Sequence, residues 1–333
     1  MRGIFLVKPY KTLQEQLQIL HKRQLKLTDY QNNKLYLLTN NYYSIINGYS
    51  KYFWISTNKY ILGTEFDDIS MLYFIDRELK FTFLKAILEA EKHLRSLVAY
   101  TLCEELSKSE HPTDYLKKSF YSYSPEKINE SKEIDYLIRQ IRKLLYKNKN
   151  KKANNPIKNH IEKHDGVPFW VMVEYLTFGE LKIIIKYLPS IQNKIAKRLC
   201  SFISSKMTLS AMFTQAELLS FIENIFETRN VCAHDSRLLD YKCRKNVLYY
   251  PPLHDKYSIL KIAPKNSVYN TFLILQCFLS DTQYSIFHNT VLKRLKYLDK
   301  SLASKSYLIS TNKILGTLGF PDNWHKTEKP IKQ

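Results

Sequence analysis

Apolar residues recur every three or four positions over most of the chain, which is the spacing of one face of a helix. Leu13, Leu17 and Leu20 form such a stripe near the start. The strongest signal runs from Asp76 to about Leu106, where Gly and Pro are absent, and it predicts one long helix over 76–106. We therefore expect an all-α fold.

Two helix starts carry capping boxes, in which a Thr is followed three residues later by a Glu. They are Thr12 with Glu15, and Thr214 with Glu217. The second pair predicts a helix over "TQAELLSFIENIFETRN". From about Ser267 a last helix is expected to close the fold.

The helical pattern is weakest around Pro251 and Pro252, where the sequence allows at most a short strand pair near 246–263. The segment "GVPFWVMVEYLTFGEL" has the apolar density of a buried element. Its residues expected to be buried are Trp170, Val173, Leu176 and Phe178.

A strongly basic stretch lies near the middle of the chain. Residues 139–163 hold nine Lys or Arg and a single acid, and the part "KNKNKKANNP" has no apolar side chain larger than Ala. We interpret 139–165 as a basic loop or disordered arm. It would separate an N-terminal helical half, 1–138, from a C-terminal half, 166–333, within one integrated unit.

Composition excludes several classes of protein. Only 7 glycines and 11 prolines occur in 333 residues, which is too few for the turns of a sandwich, a barrel or repeated βαβ units. The motifs GxGxxG, GxxxxGK[ST], GxSxG and HExxH are absent, so nucleotide-binding folds, α/β-hydrolases and zinc proteases gain no support.

The net charge points to a phosphate-rich partner. Lys and Arg number 51 against 31 acids, a formal charge of +20, which favours nucleic acid. The chain is also rich in Asn, Ile, Tyr and Phe, and A/T-rich codons can produce such a bias without selection for binding. A DNA-binding role ranks below RNA, since no segment has the glycine turn of a helix-turn-helix.

Cysteine usage and the apolar runs indicate a cytoplasmic protein. The apolar run at 4–7 is too short for a signal peptide, and nowhere do eighteen apolar residues follow one another. An odd number of cysteines without a CxxC pair predicts neither disulfides nor a structural zinc site. They are Cys103, Cys200, Cys232, Cys243 and Cys277.

An arginine occupies a core position of the helix that follows Thr214. Leu218, Ile222 and Ile225 form one stripe, and Arg229 is its next member, four residues on. Because a buried guanidinium is costly without an anion or several carbonyls, Arg229 needs a partner. That partner is either a carboxylate such as Glu91 or a phosphate from outside.

His234 follows Arg229 by five residues, which on an unbroken helix places the two side chains about 140° apart. Two arrangements would let them act together on one phosphate. Either the helix kinks between Asn230 and Ala233, or a second copy of the protein completes the site across a two-fold axis.

These residue types suit RNA cleavage without a metal. The reaction needs a base for the 2′-hydroxyl proton, a cation for the charge on phosphorus oxygens, and an acid for the leaving 5′-oxygen. Arg229 and two histidines meet these needs, and Asn230 can orient either group. An Arg/His pair at this spacing also arises by chance on surface helices, so the pair alone does not establish catalysis.

Other charged and aromatic clusters have plainer interpretations beside the functional ones. Glu91 and Arg95 have the spacing of an i, i+4 salt bridge, and we assign them to supporting the site. His160 and His164 have ligand spacing, but a solvated basic face explains them better, so we expect no metal. An aromatic cluster either stacks RNA bases or, as we favour, belongs to the core: Tyr42, Tyr43, Tyr49, Tyr52 and Phe53.

The segment "RNVCAHDSRLLD" resembles the Arg-Asn-x-x-x-His motif of HEPN ribonucleases. The wider chain resembles the Abi-like (AbiD/AbiF) family of bacterial abortive-infection proteins. The similar segments span nearly the full length: "KPYKTLQEQLQIL", "NNYYSIINGY", "FIDRELKFTFLKAILEAEKHLRS", "GVPFWVMVEYLTFGEL" and "LGFPDNW".

The resemblance implies a HEPN-like helical bundle with additional helices, and a homodimer whose two Arg/His motifs form one composite ribonuclease site. It implies a role in phage defence or as an RNA toxin. Some relatives are encoded beside a structured non-coding RNA that is thought to restrain the toxin. The implied partners are therefore a structured non-coding RNA and a single-stranded RNA substrate, with no cofactor.

Residue by residue, Arg229, Asn230 and His234 match the motif, and Glu91 and Arg95 match the charged pair of the preceding long helix. Arg237 follows the motif in many relatives. We expect RNA contacts from basic residues of the arm and from that arginine: Arg139, Arg142, Lys143, Lys147, Lys149, Lys151, Lys152, Lys158 and Arg237.

The leading hypothesis is a metal-independent endoribonuclease toxin of abortive infection or of an RNA toxin–antitoxin system. It would leave a 2′,3′-cyclic phosphate and a 5′-hydroxyl. The alternative is a non-catalytic RNA-binding HEPN scaffold that holds a structured RNA or senses phage. The alternative predicts salt-dependent RNA affinity without cleavage.

Overall fold

The computed structural model describes residues 9–109, 111–164, 166–234 and 236–332. In these ranges helices dominate, and sheet structure amounts to one antiparallel strand pair. The predicted mostly-α fold is confirmed. The apolar run at 4–7 lies outside the described residues.

The chain folds into two compact units that are each discontinuous in sequence. Unit 1 comprises Met1–Phe81, Asp235–Asp240 and Thr290–Lys329. Unit 2 comprises Thr82–His234, Tyr241–Asn289 and Pro330–Gln333. The stretch 139–165 lies within unit 2, and two long helices each contribute residues to both units.

Unit 1 contains the strand pair and the helices at both ends of the described chain. Its complete α-helices are α1 (Leu13–Lys22), α2 (Tyr30–Thr39), α13 (Thr311–Leu318) and α14 (Trp324–Thr327), with the first part of α3 (Phe66–Leu106) and the last part of α12 (Asp281–Leu302). Its strands are β1 (Trp54–Ser56) and β2 (Lys59–Tyr60), and its short turns are a π-helix at Tyr43–Asn47 and 3₁₀ helices at Ser50–Phe53 and Ala303–Lys305.

Unit 2 contains the remainder of α3 and the first part of α12. Its complete α-helices are α4 (Ile128–Lys149), α5 (Pro156–Lys163), α6 (Phe169–Met172), α7 (Phe178–Lys186), α8 (Pro189–Ser204), α9 (Gln215–Ala233), α10 (Pro251–His254) and α11 (Val268–Ile274). Its 3₁₀ helices are Asp114–Leu116, Lys118–Phe120, Val173–Tyr175, Asp255–Tyr257 and Leu275–Cys277.

The long helix α3 begins at Phe66, ten residues before the predicted start. Its start is fixed by Asp68, whose carboxylate accepts the N–H of Glu65 at 2.8 Å. Many of its apolar residues are buried in both units, including Ile75 and Ile87, which are fully covered, whereas Phe81 and Leu88 are about half exposed. The predicted helix over 76–106 is thus confirmed and extended.

The strand pair lies at Trp54–Ser56 and Lys59–Tyr60, and not near 246–263, where the sequence allowed at most a short pair. In that region Pro251 and Pro252 begin helix α10, because proline is suited to the first turn, where its missing N–H costs no hydrogen bond. The real strands flank a tight turn in which Asn58 adopts a left-handed conformation, φ +62°.

The last predicted helix is also interrupted. α11 runs from Val268 to Ile274, and a 3₁₀ turn precedes the break before α12 begins at Asp281. The Ser280 hydroxyl accepts the N–H of Gln283 at 3.3 Å, so a new helix cap forms inside the periodic segment.

The basic stretch forms helices and is not a loop or a disordered arm, which corrects the prediction for 139–165. α4 extends to Lys149, α5 occupies Pro156–Lys163, and only 150–155 between them is irregular. The helix is stable because its charges share one face and its apolar residues the opposite one. The buried apolar residues of α4 are Ile134, Leu137, Ile138 and Ile141.

We predict that Ile141→Ala lowers the free energy of unfolding by about 2–5 kcal/mol, because Ile141 is fully buried on the apolar face of α4. Lys143→Ala, two residues away on the exposed face, is the matched control and should leave stability within about 0.5 kcal/mol. Urea unfolding followed by circular dichroism measures both. Equal stability of the two variants would show that this stretch is not a packed helix.

A buried carboxylate holds the segment that follows His234 in the chain. Asp76 is fully buried in α3 and accepts the hydroxyl of Tyr49 at 2.6 Å and the N–H of Leu239 at 2.9 Å. The N–H of Leu238 lies 3.2 Å from both oxygens of the carboxylate. Burial raises the pKa of Asp76, and these hydrogen bonds oppose the rise. We call this arrangement the Asp76 clasp.

We predict that Asp76→Ala destabilises the protein by about 3–5 kcal/mol, because it leaves a hydroxyl and two backbone N–H groups buried without an acceptor. Asp67→Ala, at an exposed position in the first turn of the same helix, should cost less than about 1 kcal/mol. Thermal unfolding of both variants provides the comparison. A loss at Asp76 no larger than that at Asp67 would contradict the clasp.

Candidate functional site

Helix α9 carries the Arg-Asn-x-x-x-His segment, and its start is confirmed as a capping box. Glu217 accepts the N–H of Thr214 at 2.9 Å, and the Thr214 hydroxyl accepts the N–H of Ala216 at 3.2 Å. Its inner face packs against α7, α8 and α11. The buried residues of this face are Leu218, Phe221, Ile222, Asn224, Ile225, Thr228 and Cys232.

Polar contacts fix the position of α9 within unit 2. The amide of Asn224 donates to the carbonyl of Lys245 at 3.1 Å, and the hydroxyls of Thr228 and Thr271 lie 3.0 Å apart. Glu227 accepts the N–H of Arg244 at 2.9 Å. The last two turns of the helix, which include Arg229, are therefore anchored from two sides.

Arg229 lies on the predicted stripe and is half-buried. Its Nε is buried without a hydrogen-bond partner in the described part of the chain. Its Nη1 lies 3.5 Å from Oδ1 of Asn230, at the limit of a hydrogen bond. Between the described residues Arg229 has no ion pair, so Glu91 is not its partner.

His234 is exposed at the end of α9. Its N–H donates to the carbonyl of Asn230 at 3.0 Å, so the helical hydrogen bonding continues through Ala233, and the kink at 230–233, one of the two alternatives, is absent. Arg229 and His234 therefore leave the helix about 140° apart. Within one chain they do not face one phosphate.

Glu91 and Arg95 form the predicted i, i+4 salt bridge on α3. Nη2 of Arg95 lies 2.7 Å from Oε1 of Glu91, and both side chains are nearly buried. Nη1 of Arg95 donates to the carbonyl of Leu176 at 2.8 Å and to that of Val173. The pair thus ties α3 to the turn before α7, while Oε2 of Glu91 is buried without a partner among the described residues.

Most of the predicted RNA-binding residues lie on exposed surface of unit 2. Arg142 donates weakly to the carbonyl of Leu116 at 3.4 Å, and Lys158 lies 3.9 Å from Glu162. The remaining six are exposed and have no ion pair within the described ranges: Arg139, Lys143, Lys147, Lys149, Lys151 and Lys152.

Arg237 forms structural hydrogen bonds within unit 1. Its Nε donates to the carbonyl of Leu239 at 3.1 Å, and its Nη1 donates to the carbonyl of Gly48. Its Nη2 lies 3.9 Å from Asp240, which also accepts from Lys51 and Tyr52. These contacts account for Arg237 without a phosphate.

The aromatic cluster near residue 50 is core, as favoured. Tyr49, Tyr52 and Phe53 are buried, whereas Tyr43 is exposed. Tyr49 belongs to the Asp76 clasp, and the sequence did not identify Asp76 as its partner. Asp76 shares its stripe with Leu72 and Leu79, and an acid at such a core position is a usable signal. The predicted helix began at Asp76, which left Leu72 outside the stripe and hid that signal.

The histidine pair and the cysteines form neither a metal site nor a disulfide among the described residues. The rings of His160 and His164 are 5.2 Å apart, and the described residues include no group of three or more His, Cys, Asp or Glu suited to a metal ion. None of the five cysteines forms a disulfide bond within the described part of the chain. Burial raises the pKa of the Cys243 thiol near α9, which disfavours the nucleophilic thiolate.

None of the helices that the structure describes combines the length and apolar character needed to cross a membrane.

Comparison with known proteins places these residues in a family. The family model described as "Abi-like protein" matches residues 35–240, which include Glu91, Arg95 and the whole Arg-Asn-x-x-x-His segment. No curated protein and no solved structure matches the chain significantly. The family match covers more than half of the chain, and the chain belongs to the Abi-like protein family.

Proposed function

We propose that this protein is a metal-independent endoribonuclease that acts as a toxin in phage defence and is restrained by a structured RNA. Membership in the Abi-like family implies abortive infection, in which an infected cell stops phage multiplication at its own expense. The nuclease activity and the RNA partner are the proposal. Arg229 and His234 are its catalytic residues, and Asn230 orients them.

The observation that carries the proposal is the guanidinium of Arg229, which has no ion pair and no partner for its Nε among the described residues. A charged donor whose Nε is buried and unpartnered costs free energy, about 1–3 kcal/mol or more for such a group. Because Nε has no exposed surface, a phosphate removes that cost only when the side chain turns outward; the guanidinium then binds two phosphate oxygens with two parallel hydrogen bonds. The position therefore favours an anionic ligand over a purely structural role.

His234 supplies the proton transfers. Its ring is exposed, so an RNA 2′-hydroxyl can reach it. As a base it takes the proton of the 2′-hydroxyl, whose oxygen then attacks phosphorus and forms the 2′,3′-cyclic phosphate. The bond from phosphorus to the 5′-oxygen breaks, and a second histidine donates the proton that completes the 5′-hydroxyl.

The second histidine comes from a second copy of the chain. Because α9 is continuous between Arg229 and His234, one copy cannot direct both at the same phosphate. In a dimer with a two-fold axis, both copies contribute the same surface to the interface. If that surface includes the end of α9, the two Arg/His pairs come together. We infer that one histidine then acts as the base and the other as the acid.

Glu91 and Arg95 act as positioning residues in this scheme. Arg95 holds the carbonyls of Val173 and Leu176, and α7, which begins next to them, packs against α9. The pair thereby supports the wall against which the motif helix rests. Its part is to keep Arg229 in place.

A non-catalytic RNA scaffold is a second candidate, and the surface of α4 favours it. Arg139, Lys143 and Lys147 are four residues apart and project on one face, opposite the buried apolar stripe. A stripe of cations without ion pairs in the described chain attracts a phosphate backbone whether or not cleavage follows. Cleavage therefore decides between the two candidates.

We predict that the purified protein cleaves labelled single-stranded RNA in EDTA and leaves 2′,3′-cyclic phosphate ends. Arg229→Ala and His234→Ala should each reduce the rate by about 100-fold or more, while RNA affinity changes little. Gel analysis of the fragments, with phosphatase treatment to identify the ends, measures both rate and chemistry.

The controls match the substituted residue types at exposed positions outside the motif. Arg244→Ala and His21→Ala should cleave at the wild-type rate. RNA bound by the wild type after removal of any co-purified RNA, but left intact, would overturn the nuclease and support the scaffold. Cleavage that persists in His234→Ala would exclude His234 as the base.

A further inference from the structure

Trp170 is the one residue of its segment whose predicted burial is wrong. Val173, Leu176 and Phe178 are buried as expected, but the Trp170 side chain is 57% exposed. A solvated indole is uncommon on a soluble protein and, within a cavity, indicates a binding surface.

The exposure of Trp170 is imposed by well-packed neighbours. Phe169 is buried against Tyr115, with ring centres 5.4 Å apart, and Val171 and Met172 are covered. The Tyr115 hydroxyl donates to the carbonyl of Val167 at 2.7 Å, which fixes the chain just before α6. With both flanking residues facing inward, the helical turn directs the indole outward.

The indole forms one wall of a cavity of about 340 Å³, which we call the Trp170 pocket. Its other walls are Pro112, Thr113, His160, His164, Gly166 and Pro168. The ring of His160 stands edge-on to the indole, with centres 5.5 Å apart and planes at 87°. The volume falls within the range of about 300–1,000 Å³ that is typical of small-ligand sites.

One edge of the pocket depends on a glycine. Gly166 has φ +107°, and a Cβ there would lie 2.7 Å from Cγ2 of Thr113. A side chain at this position would be strained and would collide with the pocket wall. The absence of a side chain keeps this edge of the cavity low and open.

The charge around the pocket suits a nucleic acid. None of its described lining residues is acidic. His160 and His164 are at the end of α5, which packs against both α4 and α6. Lys151 and Lys152, in the turn that precedes α5, are exposed and without an ion pair among the described residues.

We propose that the Trp170 pocket binds an unpaired RNA base. The base stacks on the indole, the histidine nitrogens contact its polar edge, and the cations of 150–155 attract the adjoining phosphates. The inference rests on the proposed function, since it names how that RNA is held. The inference extends the proposed function, because it predicts that the protein distinguishes single strands and loops from duplexes, whose bases are already stacked.

The test uses the full chain with His234→Ala, so that cleavage does not disturb binding. Trp170→Ala should weaken binding of a fluorescein-labelled single-stranded 12-mer by about tenfold, whereas Trp170→Phe, which keeps an aromatic face, should retain most of the affinity. Affinity for a duplex of the same length should not change. Tyr146→Ala, which removes another exposed aromatic ring in unit 2, is the matched control and should bind like the parent.

Tryptophan fluorescence provides a second readout. RNA should quench the emission of the parent, and this quenching should be lost in Trp170→Phe, because Trp324 is buried and Trp54 is half-covered. Unchanged single-strand affinity in Trp170→Ala, or an equal loss for duplex, would overturn the pocket. Neither result affects the nuclease proposal, which is tested by cleavage in the chain that retains His234.

Discussion

The arrangement of the site depends on one constraint: a guanidinium is fixed on the apolar stripe of a helix that does not bend. The stripe from Leu218 to Ile225 determines how α9 packs, and the packing determines where Arg229 lies. Because α9 continues to Ala233, His234 projects in a different direction. Under the proposed function, a second copy of the chain is what brings an arginine and a histidine to one phosphate.

Within each unit, buried polar contacts hold segments that pack against α9 or follow it in the chain. In unit 2, Arg95 and Glu91 link α3 to the turn before α7, against which α9 packs. In unit 1, the Asp76 clasp and Arg237 hold 236–240 to the segment around Gly48. Four of the segments that resemble the Abi-like family take part in these polar contacts: "NNYYSIINGY", "FIDRELKFTFLKAILEAEKHLRS", "GVPFWVMVEYLTFGEL" and "RNVCAHDSRLLD".

Much of the fold could be predicted because periodicity and caps are local signals, as in α3 and at Thr214. The basic stretch was wrongly predicted to be a loop because its charges are many and its apolar stripe is short. Most of that stripe lies before residue 139, beginning at Ile134 of α4. At the site, Arg229 was found because a charge at a core position is conspicuous. Trp170 could not be placed, since an aromatic residue in an apolar segment gives no sign of which way a four-residue helix turns.

The most direct test of the central claim is the activity of a heterodimer of wild-type and His234→Ala chains, isolated with two different affinity tags. If one histidine from each copy serves as base and acid, the heterodimer should cleave RNA at least about 100-fold more slowly than the wild-type dimer. A heterodimer with half of the wild-type rate, or full activity in a protein that stays monomeric, would show that each chain carries a complete site and would contradict the account.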